Sequence, residues 1–200
     1  RSIYKYLLNN FLIINDIGIK ISEKTGTTYY GLDTSIAPFP NKNQSVANIM
    51  DYLGVQQFGG HGTLFLTSFL TNILKKIKDS GIIKCIGFNG VMFSLLEDSG
   101  IGKNNDLEHF SVDSLIMYSA VCGCGLDMIP VPGNLSNECI TTLLLDVNSL
   151  SNKLNKPLGV RILPIPNKSY GEKTEFEHDF ICNTRIKKIK DFKIDKMMFS

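Results

Sequence analysis

Apolar residues recur along the chain in two patterns, one with helical spacing and one of short continuous runs. Helical spacing extends over residues 3–22, from Ser45 to about residue 53, over 64–80 and over 136–154. Apolar positions three and four residues apart share one face of a helix and bury it against a core. This spacing therefore predicts four amphipathic helices.

The continuous apolar runs are short and rich in β-branched or aromatic residues. They predict strands at 27–33, 82–88, 114–121 and 158–165, with a fifth near 126–131. Fully apolar strands that alternate with helices indicate a parallel sheet covered on both faces. We therefore predict an α/β fold with one domain over 1–200 and a basic solvated tail or edge at 186–200.

Polar residues and glycines follow each predicted strand. They are Asp33 and Ser35, Asn89 and Gly90, Cys122 to Asp127, and Pro164 to Asn167. Ligands of parallel sheets bind where the carboxyl ends of the strands meet the loops. We therefore expect these residues to converge on one ligand-binding site.

The segment FGGHGT at 58–63 precedes the second long predicted helix. Gly59, Gly60 and Gly62 would let backbone N–H groups face an anion at the helix N-terminus. Thr63 would add a hydroxyl and His61 a proton donor. The alternative is a tight turn that leaves His61 exposed.

Three charged residues are further candidates. Glu97 and Asp98 in EDSG either bind a metal or act as a base, or they cap the segment that follows. Arg161 lies inside the last apolar strand, where a guanidinium must contact a carboxylate, carbonyls or an anionic ligand. A structural ion pair and a ligand contact are both open for Arg161.

The segment CGCGLD at 122–127 combines thiols, glycines and a carboxylate. Its Cys-x-Cys spacing disfavours a disulfide of ordinary geometry, and no second pair completes a zinc site. Gly123 and Gly125 fit close backbone approach, and Asp127 is the candidate acid–base or ligand-binding carboxylate. Cys122 is a candidate reactive thiol, although a buried cysteine more often packs as a small apolar residue.

Composition narrows the function classes. A net charge of +2 argues against nucleic acid as a partner, and no apolar stretch reaches the length of a membrane span. Five cysteines without a regular framework indicate reduced thiols in the cytoplasm. His109 and His178 stand in polar stretches and are expected at the surface.

Several segments in order resemble one family of uncharacterised proteins, known as domain of unknown function 711 or UPF zero-two-ten. They are GLDTSIAPFP, FGGHGTLFLTSFLTNILKKI, GFNGVMFSLLEDS, YSAVCGCGLDMIPVPGN and VRILPIPNKSYGE. The positions that match the family's most specific motif are Cys122, Gly125, Leu126, Asp127, Pro132 and Gly133. The resemblance covers about residues 15–185.

The resemblance implies the fold of pyruvate formate-lyase, a ten-stranded α/β barrel of two halves, of which this chain would be the C-terminal half. A homo-oligomer or the missing N-terminal part would complete it. The glycyl-radical motif of those enzymes is absent, since KSYGEKTEF lacks its arginine and hydrophobic partner. The resemblance gives a fold and a site, but no reaction.

We therefore expect a polar or anionic small molecule to bind at the carboxyl ends of the strands. Acid–base catalysis, or catalysis assisted by a divalent metal, would fit this site. The alternative is a non-catalytic sensor or regulatory binding protein with a degenerate site.

Overall fold

The computed structural model describes residues 2–190, and helices account for most of its regular structure. The elements are α1 (Ile3–Thr25), a short 3-10 helix (Lys42–Gln44), α2 (Val46–Tyr52), α3 (Thr63–Asp79), α4 (Ser99–Asp106), α5 (Val112–Ser119), β1 (Gly125–Pro132), α6 (Asn137–Leu154) and β2 (Gly159–Ile165).

Helices α1, α2, α3 and α6 confirm the four predicted from apolar spacing. Their ends carry the expected signals. The Ser45 hydroxyl accepts the Asn48 N–H at the start of α2, and the Ser136 hydroxyl accepts the Cys139 N–H at the start of α6. Gly81, with a φ of 68°, follows the end of α3.

The strand predicted at 114–121 is wrong, because most of this segment is helix α5. Ser111 and Ser114 form a capping box, in which each side chain accepts the other residue's backbone N–H. The residues that α5 buries include Val112, Leu115 and Tyr118, which recur every three positions. Helical spacing inside a short apolar run thus outweighs its resemblance to a strand.

Strands β1 and β2 form a parallel pair, which confirms the strands predicted at 158–165 and near 126–131. Gly125 pairs with Gly159 and Leu126 with Val160, and the register shifts before Ile129 pairs with Ile162. Both faces of β1 are covered, since six of its eight residues are buried. A parallel strand covered on both faces accounts for the apolar sequence of β1.

The runs at 27–33 and 82–88 pair with each other, but not as regular strands. Isolated parallel bridges join Leu32 to Cys85 and Ile36 to Val91. Between these bridges, Gly87 and Asn89 adopt φ values of 75° and 51°, which interrupt the ladder. The prediction of a buried strand at 82–88 is wrong, because three of its apolar side chains are exposed, namely Ile82, Ile86 and Phe88.

Four extended segments nevertheless lie side by side in chain order. Besides the bridges and the β1–β2 pair, the Gly123 N–H donates to the Val91 carbonyl at 2.6 Å, and the Leu95 N–H to the Asp127 carbonyl at 3.3 Å. The order is therefore 32–36, 85–95, 123–132 and 159–165, with helices between successive segments. The fold is mixed α/β with a small parallel sheet.

An aromatic cluster marks the centre of the core. The Phe58 ring makes edge-on contacts with Phe93, Phe110 and Tyr118, at centroid distances of 4.9, 5.2 and 6.0 Å. Each of these side chains is at least 95% buried. Phe58, the first residue of the FGGHGT loop, therefore packs against Phe110 before α5, Tyr118 in α5 and Phe93 in the sheet.

Asp98 joins the starts of two helices. Its side chain is fully buried and accepts the Gly100 and Ile101 N–H groups at the start of α4. The same carboxylate accepts the Val46 N–H and the Ser45 hydroxyl at the start of α2, each at 2.6 Å. Of the two roles open for Asp98, the geometry is that of a cap.

The C-terminal basic segment begins inside the packed structure. Ile186 is 1% exposed and Lys187 is 7% exposed, so these two residues are not part of a solvated tail. The rest of 186–200 beyond residue 190 lies outside the described residues. Within residues 2–190, no helix combines the length and apolarity needed to span a membrane.

Candidate functional site

Three charged side chains from separate segments meet on one surface of the sheet. Arg161 on β2 donates through Nε and Nη2 to the two oxygens of Asp127 on β1, with the Nη2–Oδ2 distance at 2.8 Å. Its Nη2 also lies 3.0 Å from Glu97 Oε2. Strand pairing explains the first contact, since Gly125 faces Gly159 and places Asp127 beside Arg161.

This carboxylate–guanidinium group is open to solvent. The side chain of Arg161 is 53% exposed, that of Glu97 32% and that of Asp127 14%. Hydrogen bonding to Asp127 raises the pKa of Arg161 above its usual value. Of the two alternatives for Arg161, the geometry is that of an ion pair, and its formal charge together with the two carboxylates is −1.

Part of the group's hydrogen-bonding capacity is unused. Among residues 2–190, nothing contacts Nη1 of Arg161 or Oε1 of Glu97 within hydrogen-bonding distance. These two atoms offer donors and an acceptor side by side. The arrangement can therefore bind a polar group without first breaking an internal contact.

Asp33 and Asn89 form a second polar group, but their side chains are occupied. Asp33 accepts the N–H groups of Ser35, Phe88 and Asn89 and the Ser35 hydroxyl, and the Ser35 hydroxyl and these N–H groups lower the pKa of Asp33. The Asn89 amide accepts from Thr34 and donates to two carbonyls. These contacts hold the positive-φ turn in place.

Two glycines bring neighbouring segments unusually close together. A Cβ on Gly90 would lie 2.7 Å from the Cα of Gly123, and one on Gly123 would lie 3.1 Å from the Cα of Gly90. The Gly90 N–H donates to the Ser35 hydroxyl at 3.3 Å. Gly90 and Gly123 therefore allow two backbones to pack closely, and they are not explained by the approach of a ligand.

The structure corrects the predicted position of CGCG relative to the sheet. Because α5 replaces the expected strand, residues 122–124 precede β1 and lie at its N-terminal end. Asp127 lies four residues further along the chain than Gly123, roughly 13 Å at the usual rise of a strand. The predicted residues thus form two groups along one sheet, the Asp33–Asn89–Gly123 group and the Glu97–Asp127–Arg161 group.

The two cysteines of CGCG lie close together in the core. Cys122 is fully buried and Cys124 is 8% exposed. The Gly125 N–H lies 3.3 Å from Cys122 Sγ. Hydrogen bonding from the Cys124 thiol lowers the pKa of Cys122 to about 6, with the Gly125 N–H contributing, while the same contact and burial raise the pKa of Cys124. Cys122 is thus the more acidic thiol of the two, and it has no direct access to solvent.

Three N–H groups of the FGGHGT loop have partners within residues 57–63. The Gly59 N–H donates to the Thr63 hydroxyl, the Gly60 N–H to Gln57 and the Thr63 N–H to Gly60. Gly62, with a φ of 96°, precedes α3, and His61 is exposed. This geometry is that of a tight turn, and no contact joins it to the Asp127 group within the described residues.

The other two histidines have partners in the described chain. His109 is half-buried, with its Nδ1 2.8 Å from the Asn104 side chain. His178 is exposed and accepts the Phe180 N–H. In residues 2–190, no three histidine, cysteine, aspartate or glutamate side chains are grouped closely enough to hold a metal ion.

Lys156 is a site residue that the sequence did not indicate. Its Nζ donates to the carbonyls of Ser119 and Cys122, at 2.7 and 2.5 Å, and burial lowers its pKa. Lys156 follows Asn155, which ends α6 in the left-handed conformation with a φ of 47°. A single lysine after a helix does not belong to any recognisable motif. Only the folded structure therefore shows that Lys156 contacts the Cys122 carbonyl of CGCG.

The fold and site define the chain as a mixed α/β protein with an exposed carboxylate–guanidinium group on parallel strands. The family model described as Uncharacterised ACR (DUF711) matches residues 6–183. A UPF0210 protein of Lactobacillus delbrueckii subsp. bulgaricus is 34% identical over 163 residues, which cover 80% of this chain and 36% of that protein. A UPF0210 protein of Pyrobaculum aerophilum is 31% identical over 156 residues, covering 78% and 35%.

The chain therefore belongs to the DUF711 family, as its motifs indicate. It spans about a third of the length of the curated relatives it matches.

Proposed function

We propose that the Glu97–Asp127–Arg161 group binds a polar small molecule and acts on it by acid–base chemistry. The supporting observation is that three charged side chains from segments distant in sequence meet at an exposed surface with unused donors and an unused acceptor. Ion pairs at a surface contribute only about 0–1 kcal/mol to stability. A bidentate pair within a three-charge network contributes more than an isolated pair, so the unused donors and acceptor, and not the ion pair itself, carry the proposal.

The charges in the group favour a particular class of ligand. Two carboxylates already neutralise Arg161, so an anion would have to compete with Asp127 for the guanidinium. A neutral or zwitterionic molecule with an acceptor for Nη1 and a hydroxyl or amine for Glu97 Oε1 would bind without that competition. We therefore favour polar, hydroxyl- or amine-bearing ligands over simple anions.

The three side chains would have different roles. Asp127, bonded through both oxygens and largely buried, would hold the guanidinium in position. Arg161 would orient the ligand through Nη1. Glu97 contacts Arg161 through one oxygen only and would accept or return a proton through the other. Cys122 would be a reserve nucleophile, reachable only if the structure around CGCG opens.

The barrel implied by the resemblance is a further proposal about the whole protein. Parallel segments that lie side by side in chain order, with helices between them, support it. The remainder of the longer relatives, or a second copy of this chain, would supply the other strands.

Ligand-induced thermal shifts on the full chain test the site. The compounds are neutral, zwitterionic and anionic polar molecules, each with and without Mg²⁺ or Mn²⁺. We expect the stabilising compounds to come mainly from the first two classes. Asp127→Asn and Arg161→Met should abolish their shifts, measured against each unliganded variant, and should lower the unliganded stability by about 1–3 kcal/mol because a bidentate, partly buried contact is lost.

The matched control is Glu175→Gln, which breaks the ion pair between Lys168 and Glu175. It should leave every ligand-induced shift intact. If Asp127→Asn and Arg161→Met also leave them intact, the site is assigned wrongly. Glu97→Gln separates catalysis from sensing, since a base contributes about 10²–10⁴-fold to turnover; a ligand bound without any turnover favours the sensor.

A further inference from the structure

A cavity that shares no lining residue with the Glu97–Asp127–Arg161 group has the size of a ligand site. Its volume is about 840 Å³, within the range of roughly 300–1,000 Å³ typical of small-molecule sites. It lies between the start of α5, the middle of α6 and the segment 185–190. The buried side chains of Val112, Leu143 and Ile186 give it an apolar wall.

A buried lysine lines the same cavity. Lys187 is 7% exposed, and its Nζ lies 4.2 Å from the centroid of the Phe110 ring and donates to the Phe110 carbonyl. One carbonyl accepts only one of the three N–H bonds of an ammonium group. Burial lowers the pKa of Lys187 to about 8, so the side chain is still charged at pH 7.

No carboxylate of the described chain pairs with Lys187. Asp113 pairs with Lys190, and Glu108 accepts the Tyr170 hydroxyl and acts on Lys187 only through its charge, without a direct contact. Buried charges in proteins are normally paired, because removing an ion from water is costly. An ammonium group beside an empty volume therefore favours an anion in that volume.

The remaining charges around the cavity also favour an anion. Arg185 and Lys188 line it, and their side chains contact no carboxylate within residues 2–190. Asp146 lines it too and has no ion-pair partner in the same part of the chain. With Asp113 and Lys190 neutralising each other, three cations, counting Lys187, face the carboxylates of Glu108 and Asp146, which leaves an excess of one positive charge.

We propose that this cavity binds a small amphiphilic anion, with its charged head at Lys187 and Arg185 and its apolar body against Leu143 and Ile186. The head group is a carboxylate or a phosphate ester. This inference is independent of the Glu97–Asp127–Arg161 site, whose residues lie on β1, on β2 and just before α4 and do not line the cavity.

Calorimetric titration of the full chain tests the proposal with four probes: octanoate, octyl phosphate, octanol and acetate. We expect at least one of the two long anions to bind. Octanol lacks the charge and acetate lacks the apolar body, so both should bind about tenfold more weakly or not at all. The stronger of octanoate and octyl phosphate identifies the head group.

Lys187→Met removes the charge and keeps the length of the side chain. It should weaken binding of the long anion at least about tenfold and leave octanol unaffected. Since methionine is apolar, the variant should be as stable as the parent. Lys168→Met, a change outside the cavity lining, should bind like the parent.

A second variant covers the case in which Lys187→Met does not fold. Ile116→Glu places a negative charge on the partly buried cavity wall and should weaken the long anion more than octanol. The proposal is overturned if neither long anion binds, if octanol binds as well as they do, or if folded Lys187→Met binds them like the parent.

Discussion

Cys122 and Cys124 show how neighbouring groups give two identical side chains opposite acidities. The Cys122 sulfur accepts the Gly125 N–H, whereas Cys124 Sγ donates to the Gly125 carbonyl at 3.8 Å; the interaction between the two thiols lowers the pKa of Cys122 and raises that of Cys124. Hydrogen bonds to the charged form lower a pKa and burial raises it for a thiol. At Cys122 the hydrogen bonds outweigh the burial.

The first prediction is that Cys122 titrates near pH 6 in the folded protein, well below its ordinary value of about 9. The ¹³Cβ chemical shift of labelled cysteine reports the protonation state without a reagent that must reach a buried thiol. Cys124→Ala removes the donor and should raise the Cys122 midpoint. A midpoint above pH 8 in the parent protein would contradict the hydrogen-bonding account.

The sign of the linked stability follows from this lowered pKa. A thiol that is more acidic when folded stabilises the fold fully above its unfolded pKa of about 9. This contribution decreases as the pH falls and is lost below the folded pKa of about 6. Cys124→Ala should therefore flatten this part of the pH dependence of unfolding.

Single residues also mark how far the sequence predicts the site. Arg161 in an apolar strand predicted contact with a carboxylate, carbonyls or an anionic ligand, and two carboxylates are its partners. Asp127 and Glu97 stand 34 and 64 residues away in the chain. The presence of an arginine in an apolar strand therefore showed that a partner was needed, but not which residues it would be. Lys156 carried no signal, because its acceptors are backbone carbonyls brought near by α5 and the turn after it.

At the level of elements, segments 85–95 and 123–132 pack so closely that the contact between Gly90 and Gly123 leaves no room for a side chain. The backbones of Gly90, in NG, and Gly123, in CGCG, are in contact where these two segments lie side by side. We predict that Gly90→Ala destabilises the fold by about 1–3 kcal/mol, because a Cβ at 2.7 Å from Gly123 Cα forces the segments apart. Urea unfolding measures the loss.

The matched control for this change is Gly159→Ala in β2. A Cβ there would lie 3.5 Å from its nearest neighbour, an ordinary contact. Its effect should stay within about 0.5 kcal/mol. Equal effects of the two alanines would mean that the Gly90–Gly123 approach is not a close contact in solution.

Asp98 connects two helices, and this connection gives a third prediction. Asp98→Ala leaves the buried N–H groups of Val46, Gly100 and Ile101 without their acceptor, and we expect a loss of about 3 kcal/mol or more. Asp51→Ala, at an exposed position of α2, should change the free energy of unfolding by about 0.5 kcal/mol or less. Similar losses in both variants would refute the shared cap.

The elements divide into those that local signals predict and those that only the fold decides. Apolar spacing and caps predicted α2, α3 and α6 closely, because helix contacts are local. The run 114–121 has the apolar content of a strand, but its buried residues recur every three positions and Ser111 caps it, so it lies mostly in a helix. Pairing at 82–88 depends on the positive φ values of Gly87 and Asn89, which the sequence suggests only as a turn.

At the scale of the whole molecule, the predicted α/β class and the parallel arrangement are confirmed for the segments that the structure describes. The polar loops were expected to converge on one cavity. The structure instead places them in two groups at different positions along the strands, the Asp33–Asn89–Gly123 group and the Glu97–Asp127–Arg161 group. The difference arises because α5 replaces a strand and moves CGCG to the N-terminal end of β1. A half of a ten-stranded barrel stays a prediction.

The most direct test of the account is the ¹⁵N–¹H signal of the Arg161 Nε–Hε group in the full chain, followed during titration with a compound that raises the melting temperature. We expect this signal to shift with the same saturation curve as binding, and we expect Glu175→Gln to leave the shift unaltered. Saturable binding with an unmoved Arg161 signal would contradict the proposal that Glu97, Asp127 and Arg161 form the ligand site.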